Sequence, residues 1–185
     1  MITVVIGGSG SGKSQYAEQL LVHTKAKYLY YLATMEIHGE EEKQKVERHK
    51  RMRRDKNFVT IERPRDLAGV EIMSPEEESA VLVECISNLT ANEFFSWEGG
   101  ASEENIRLIE AKIIHGLTVL ASQAKDLIIV TNDVFCDGGE YTGETMEYMK
   151  LLGRINQKLC AIGDRAAEVV CGIPVALKGE LEEME

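Results

Sequence analysis

The chain lacks the features of a disulfide-stapled, zinc-bound or membrane-spanning protein. Its four cysteines, Cys85, Cys136, Cys160 and Cys171, are widely spaced, with no C-x-x-C pair and no Cys/His cluster. A reduced, cytoplasmic setting is therefore expected and a structural zinc site is not. No apolar run approaches the length of a membrane span, so no stable membrane insertion is expected. The opening apolar stretch has no basic residues before it and ends at Gly7, too early for a signal peptide. Cations are also scarce: 21 Lys and Arg stand against 31 Asp and Glu, for a net charge of −10. Nucleic acid and anionic membrane surfaces are poor partners for such a chain. There are no internal repeats and no low-complexity linker, so 185 residues read as one α/β domain spanning 1–185.

What is present is concentrated near the start. Gly7-Gly8-Ser9-Gly10-Ser11-Gly12-Lys13-Ser14 follows the apolar run Ile2–Ile6 and leads into Gln15–Leu21. A β-branched strand, a glycine-rich turn and the first turn of a helix form the context in which G-x-x-x-x-G-K-[ST] cradles phosphate. The glycines allow positive φ and bring backbone N–H groups close to an anion, and the helix N-terminus adds open donors. Lys13 is expected to reach the β- and γ-phosphates, and Ser14 to offer its hydroxyl to Mg²⁺. The stretch predicts binding of a nucleoside triphosphate, GTP or ATP.

Along the chain, Ile2–Ile6 reads as a strand, Lys13–His23 as a helix and Lys27–Ala33 as a second strand. Glu40–Arg54 is helical by propensity with few apolar positions, which makes it a surface element. Asn57–Glu62 reads as a short strand, Ser79–Val83 as a buried one and Asn88–Phe95 as a helix. Ser102-Glu103-Glu104 begins a helix whose apolar stripe is Ile106, Ile109, Ile113, Leu117 and Leu120. Asp126–Thr131 is a central strand, residues 135–143 a loop, Thr145–Arg165 a long helix and Glu168–Cys171 the last strand. Strands alternating with helices predict a mostly parallel sheet covered on both faces.

Two residues outside the glycine-rich stretch are candidates for chemistry. Glu84 follows the hydrophobic strand, where an acidic residue can hold Mg²⁺ or help activate an acceptor hydroxyl; the alternative is a carboxylate ending a strand beside the sheet edge. His49 lies within Lys43–Arg54, the one strongly basic segment, whose cations suit a polyphosphate. Local sequence alone favours a surface histidine on a solvated basic helix. His23, His38 and His115 have no ligand-spaced neighbours.

The glycine-rich stretch with Ala17-Glu18, then Tyr31-Leu32-Ala33-Thr34, Arg48-His49-Lys50, Val83-Glu84-Cys85 and Val130-Thr131-Asn132-Asp133 resembles the bifunctional adenosylcobinamide kinase / adenosylcobinamide-phosphate guanylyltransferase family. Gly153–Gln157 and Ala167–Pro174 are similar to that family's closing segment. The resemblance implies a RecA-like phosphate-loop fold, a homotrimer, and work on adenosylcobinamide and guanine nucleotide in cobalamin biosynthesis. The aminopropanol hydroxyl would be phosphorylated from GTP or ATP with Mg²⁺, and GMP then transferred through a histidine that His49 matches. It further implies guanine-nucleotide contacts from Ala33, Thr34, Met35, Lys50, Arg51, Met52, Arg53, Glu62 and Glu84. The chain departs from the family in Asn132–Tyr141, which lacks the expected proline, with no basic residue before Lys150. A phosphate-loop kinase of another small molecule, or a nucleotide-dependent switch, are the alternative readings.

Overall fold

The computed structural model describes residues 1–36, 39, 47, 56–100, 102–134 and 141–181. Seven strands form one sheet in the order β3-β2-β4-β5-β1-β6-β7. They are β1 (Ile2–Gly7), β2 (Tyr28–Ala33), β3 (Val59–Glu62), β4 (Ser79–Glu84), β5 (Asp126–Asn132), β6 (Arg165–Val170) and β7 (Ile173–Lys178). All neighbouring pairs are parallel except β6 and β7. Among the described residues the α-helices are α1 (Lys13–His23), α2 (Ile86–Phe95), α3 (Glu103–Ala121) and α4 (Glu144–Ile162).

Period-two alternation divides the strand side chains between two cores. On one face Val5, Tyr31, Leu82, Ile128, Val130, Ala167 and Val169 pack against Tyr16, Ala17, Leu20 and Leu21 of α1. On the other, Val4, Leu32, Val81, Val83, Leu127 and Ile129 meet α2, α3 and α4 through Leu89, Ile106, Ile109, Ile113, Leu117, Leu151 and Ile155. The five stripe residues expected on α3 are all buried. Ser102 caps that helix, its Oγ accepting from the Asn105 N–H at 3.2 Å.

Two expectations are corrected at the C-terminal end. The last long helix stops at Ile162, not Arg165, because Gly163 turns extended and Asp164 is drawn to the sheet. Ile2 N–H donates to Asp164 Oδ2 at 2.7 Å, and Asp164 N–H to the Ile2 carbonyl at 2.8 Å. The strand expected at Glu168–Cys171 therefore runs from Arg165 to Val170, and a further strand, β7, follows it. Cys171 and Gly172, with φ of 50° and 81°, make the two-residue turn between them. The helix expected over Glu40–Arg54 lies, except for Glu47, outside the described residues, as do 135–140 of the expected loop.

Parallel register brings five strand ends to one edge. Gly7 is level with Asn132, and Ala33 is level with both Glu62 and Glu84. β5 separates the strand leading into the glycine-rich turn from the strand that carries Glu84, the RecA-like arrangement, and ligands bind where such strands end.

Candidate nucleotide site at the carboxyl edge of the sheet

The turn from β1 to α1 is built around left-handed glycines. Gly10 has φ 74° and Gly12 φ 94°, and Gly12 is the cap residue of α1 with no side chain bonding the helix N–H groups. The first turn of α1 thus offers its backbone donors to an anion. The turn is braced from outside by the β6–β7 hairpin. Gly172 N–H donates to the Ser11 carbonyl at 2.7 Å, and a Cβ on Gly12 would meet Gly172 Cα at 3.1 Å.

Lys13 curls back over this turn, its Nζ donating to the Gly8 carbonyl at 3.0 Å. Burial holds its pKa below the ordinary lysine value, opposed by the neighbouring Cys85 and Glu84. Ser14, the next residue, donates its hydroxyl to Glu84 Oε1, across 70 residues of chain. The other carboxylate oxygen, Oε2, accepts from the Tyr31 hydroxyl at 3.0 Å. β4 lies inside the sheet between β2 and β5, so Glu84 does not end an edge strand.

Next to Glu84 the strand ends are laced together. Thr34 is buried; its hydroxyl donates to the Cys85 carbonyl and accepts from Cys85 N–H, both at 2.7 Å. Asn92 Nδ2 bonds the Thr34 carbonyl at 2.7 Å and the Pro64 carbonyl at 3.0 Å, tying α2 to both segments. The Cys85 thiol lies 3.0 Å from Ser87 Oγ, and burial pushes its pKa up. Asn132 Nδ2 donates to Ser87 Oγ at 2.7 Å, and Asp133 N–H to the Gly7 carbonyl at 3.2 Å.

Of the residues expected from sequence, Gly7–Ser14 and Glu84 meet at one place. Ala33 sits between Glu62 and Glu84 in the register, Met35 is half-buried just beyond it, and Glu62 ends the outer strand, exposed. Thr34 lies at the same edge with its hydroxyl committed to Cys85. His49, Lys50, Arg51, Met52 and Arg53 lie outside the described residues. The chain on either side of them is fastened: Glu36 pairs with Arg65 at 2.7 Å, and Lys56 with the buried Glu18 of α1 at 2.6 Å. Arg154 is taken up by Glu103 and Glu110 in a bridge between α4 and α3, at 3.0 and 2.8 Å. Sequence reasoning passed over the role of Tyr31. Its place two residues before Ala33 puts it on the α1 face of β2, and that alternation was the available signal.

Among the described residues no helix is long and apolar enough to cross a membrane, and no three His, Cys, Asp or Glu side chains group to hold a metal ion. The family model for cobinamide kinase / cobinamide phosphate guanyltransferase matches residues 3–177. The chain is 29% identical over 184 residues to the bifunctional adenosylcobalamin biosynthesis protein CobU of Salmonella typhimurium strain LT2, covering 96% of this chain and all of that one. To the protein of the same name from Escherichia coli strain K12 it is 27% identical over 184 residues, with the same coverage. Among solved structures it is similar to the flagellar accessory protein FlaH of Methanocaldococcus jannaschii, at 16% identity and TM-score 0.48, over 96% of this chain and 77% of that one. With the family model running over nearly its whole length, the chain belongs to the cobinamide kinase / cobinamide phosphate guanyltransferase family.

Proposed function

We propose that this chain carries out both reactions named for its family within one domain, and that the turn at Gly7–Ser14 serves the phosphoryl donor. The observation that carries the reading is the meeting of Lys13, Ser14 and Glu84 at the open end of α1. In the kinase reaction the aminopropanol hydroxyl oxygen of adenosylcobinamide attacks the γ-phosphorus of GTP or ATP. The bond to the β–γ bridging oxygen breaks, the nucleoside diphosphate leaves and Glu84 takes the hydroxyl proton. Lys13 leaves the Gly8 carbonyl for the β- and γ-phosphate oxygens, and α1 directs its first N–H groups at the same charge.

The donor set at Ser14 and Glu84, a hydroxyl and a carboxylate already in contact, suits a hard cation that keeps several waters and phosphate oxygens. Mg²⁺ there would neutralise charge on the β- and γ-phosphate oxygens.

In the second reaction an imidazole nitrogen of His49 attacks the α-phosphorus of GTP and pyrophosphate leaves. An oxygen of adenosylcobinamide phosphate then displaces the histidine, giving adenosylcobinamide-GDP. Ala33, Thr34, Met35, Met52, Glu62 and the basic residues Lys50, Arg51 and Arg53 are assigned to the guanine nucleotide. Thr34 acts by holding the strand ends together. A cytoplasmic homotrimer completes the reading, supported by the family likeness and by the dispersed cysteines.

The test is to supply cobinamide, Mg²⁺ and γ-labelled GTP or ATP and follow label into the corrinoid. Transfer by the native chain and its loss in Lys13→Ala is the expected result. Release of inorganic phosphate with no labelled corrinoid would replace the kinase reading with a nucleotide-dependent switch.

A further inference from the structure

We propose that Tyr31 is the positioning residue of the cation site: it holds the Glu84 carboxylate in place through the oxygen that Ser14 does not contact. The inference rests on the reading that Ser14 and Glu84 hold the nucleotide's cation. Glu84 is gripped from both sides, Oε1 by Ser14 and Oε2 by the Tyr31 hydroxyl at 3.0 Å. These two grips differ in kind. Ser14 is itself a cation ligand in that reading, its oxygen lone pairs free for the ion while its proton stays on Glu84. Tyr31 grips the other oxygen from the adjacent strand. Its ring is only 3% exposed, packed on the α1 face of β2 with Tyr16, Leu21 and Leu82.

The register explains how a side chain of the neighbouring strand reaches the carboxylate. Tyr31 is level with Leu82 and Ala33 with Glu84, so Tyr31 and Glu84 point to the same face two positions apart on adjacent strands. A diagonal neighbour of that kind lies about 7–8 Å away between Cα atoms, within reach of a phenol and too far for a short side chain. A carboxylate anchored through one oxygen presents the other at a fixed place, and that is what a small cation with strict octahedral geometry requires.

Tyr31→Phe removes one oxygen and leaves the ring in the core. Mn²⁺ is the probe, counted by electron paramagnetic resonance with the imido analogue of GTP, against the same analogue without protein. The expected result is about tenfold weaker Mn²⁺ binding by the variant complex, with the melting temperature changed by only a few degrees. In a Glu84→Gln background the same substitution is expected to add nothing further. Equal Mn²⁺ affinity in native protein and Tyr31→Phe, or a full additional loss in the Glu84→Gln background, would overturn the proposal. Native protein that holds no Mn²⁺ beyond the free analogue would instead overturn the reading of Ser14 and Glu84.

Discussion

Lys56 pairs with Glu18 at 2.6 Å, and this ion pair fastens the chain just beyond the basic segment to the helix that starts at the phosphate-binding turn. Glu18 is 2% exposed, and Lys56 is its ion-pair partner. Lys56 follows His49 by seven residues, a stretch that spans at most about 25 Å. The histidine is thereby leashed to α1.

Lys56→Met should strand the Glu18 charge and destabilise the fold by about 2 kcal/mol, a fall in melting temperature of about 4–8 °C. Adding Glu18→Gln should restore most of it. Guanylyl transfer should suffer more than phosphoryl transfer in both variants, since only the former relies on His49. Calorimetry and the two activity assays check these outcomes; equal loss of both activities would count against the leash.

Lys13→Met should lower phosphoryl transfer by about a hundredfold or more while leaving stability unchanged or raised. The sign follows from burial. Burial lowers the Lys13 pKa, so between that value and the unfolded-state value near 10.5 the unfolded chain binds more protons. Stability contributed by this group therefore rises with pH through that window, and at neutral pH the buried ammonium is a cost. Thermal melts of both proteins from pH 7 to 10 check it, the gap closing as pH rises.

The described cysteines should alkylate in a definite order. Cys171 is exposed on the hairpin turn, Cys160 is half-buried with its pKa pushed up by burial, and Cys85 is fully buried with its pKa pushed up for the same reason. Peptide mapping after iodoacetamide treatment at pH 8 should find Cys171 modified first and Cys85 only after unfolding.

Gly172→Ala places a methyl group where φ is 81°, at a cost of about 1–2 kcal/mol, and shifts the turn that bonds Ser11. The expected outcome is a several-fold rise in KM for the nucleotide with kcat less affected. An unchanged KM would show that the hairpin does not brace the loop.

The parts of this fold legible in the sequence are those written in adjacent residues. Lys13–His23 was bounded correctly at both ends because a glycine turn starts it and its packing stripe is local. Ser102 announced α3 through its capping hydroxyl. The end of α4 was misjudged because what stops it, Asp164 bonding Ile2, joins residues at opposite ends of the chain. β7 was missed because Pro174, which argues against a strand interior, interrupts the alternation of Ile173, Val175 and Leu177. At the site, Glu84 could be named from its place after a buried strand, but its contacts with Ser14 and Tyr31 depend on helix placement and strand register.

The most direct measurement is to incubate the protein with α-labelled GTP and Mg²⁺, denature it and test the bound label against acid and alkali. Label that is acid-labile and alkali-stable, present on the native chain and absent from His49→Ala, is the predicted result. Label that persists undiminished in His49→Ala would contradict the account.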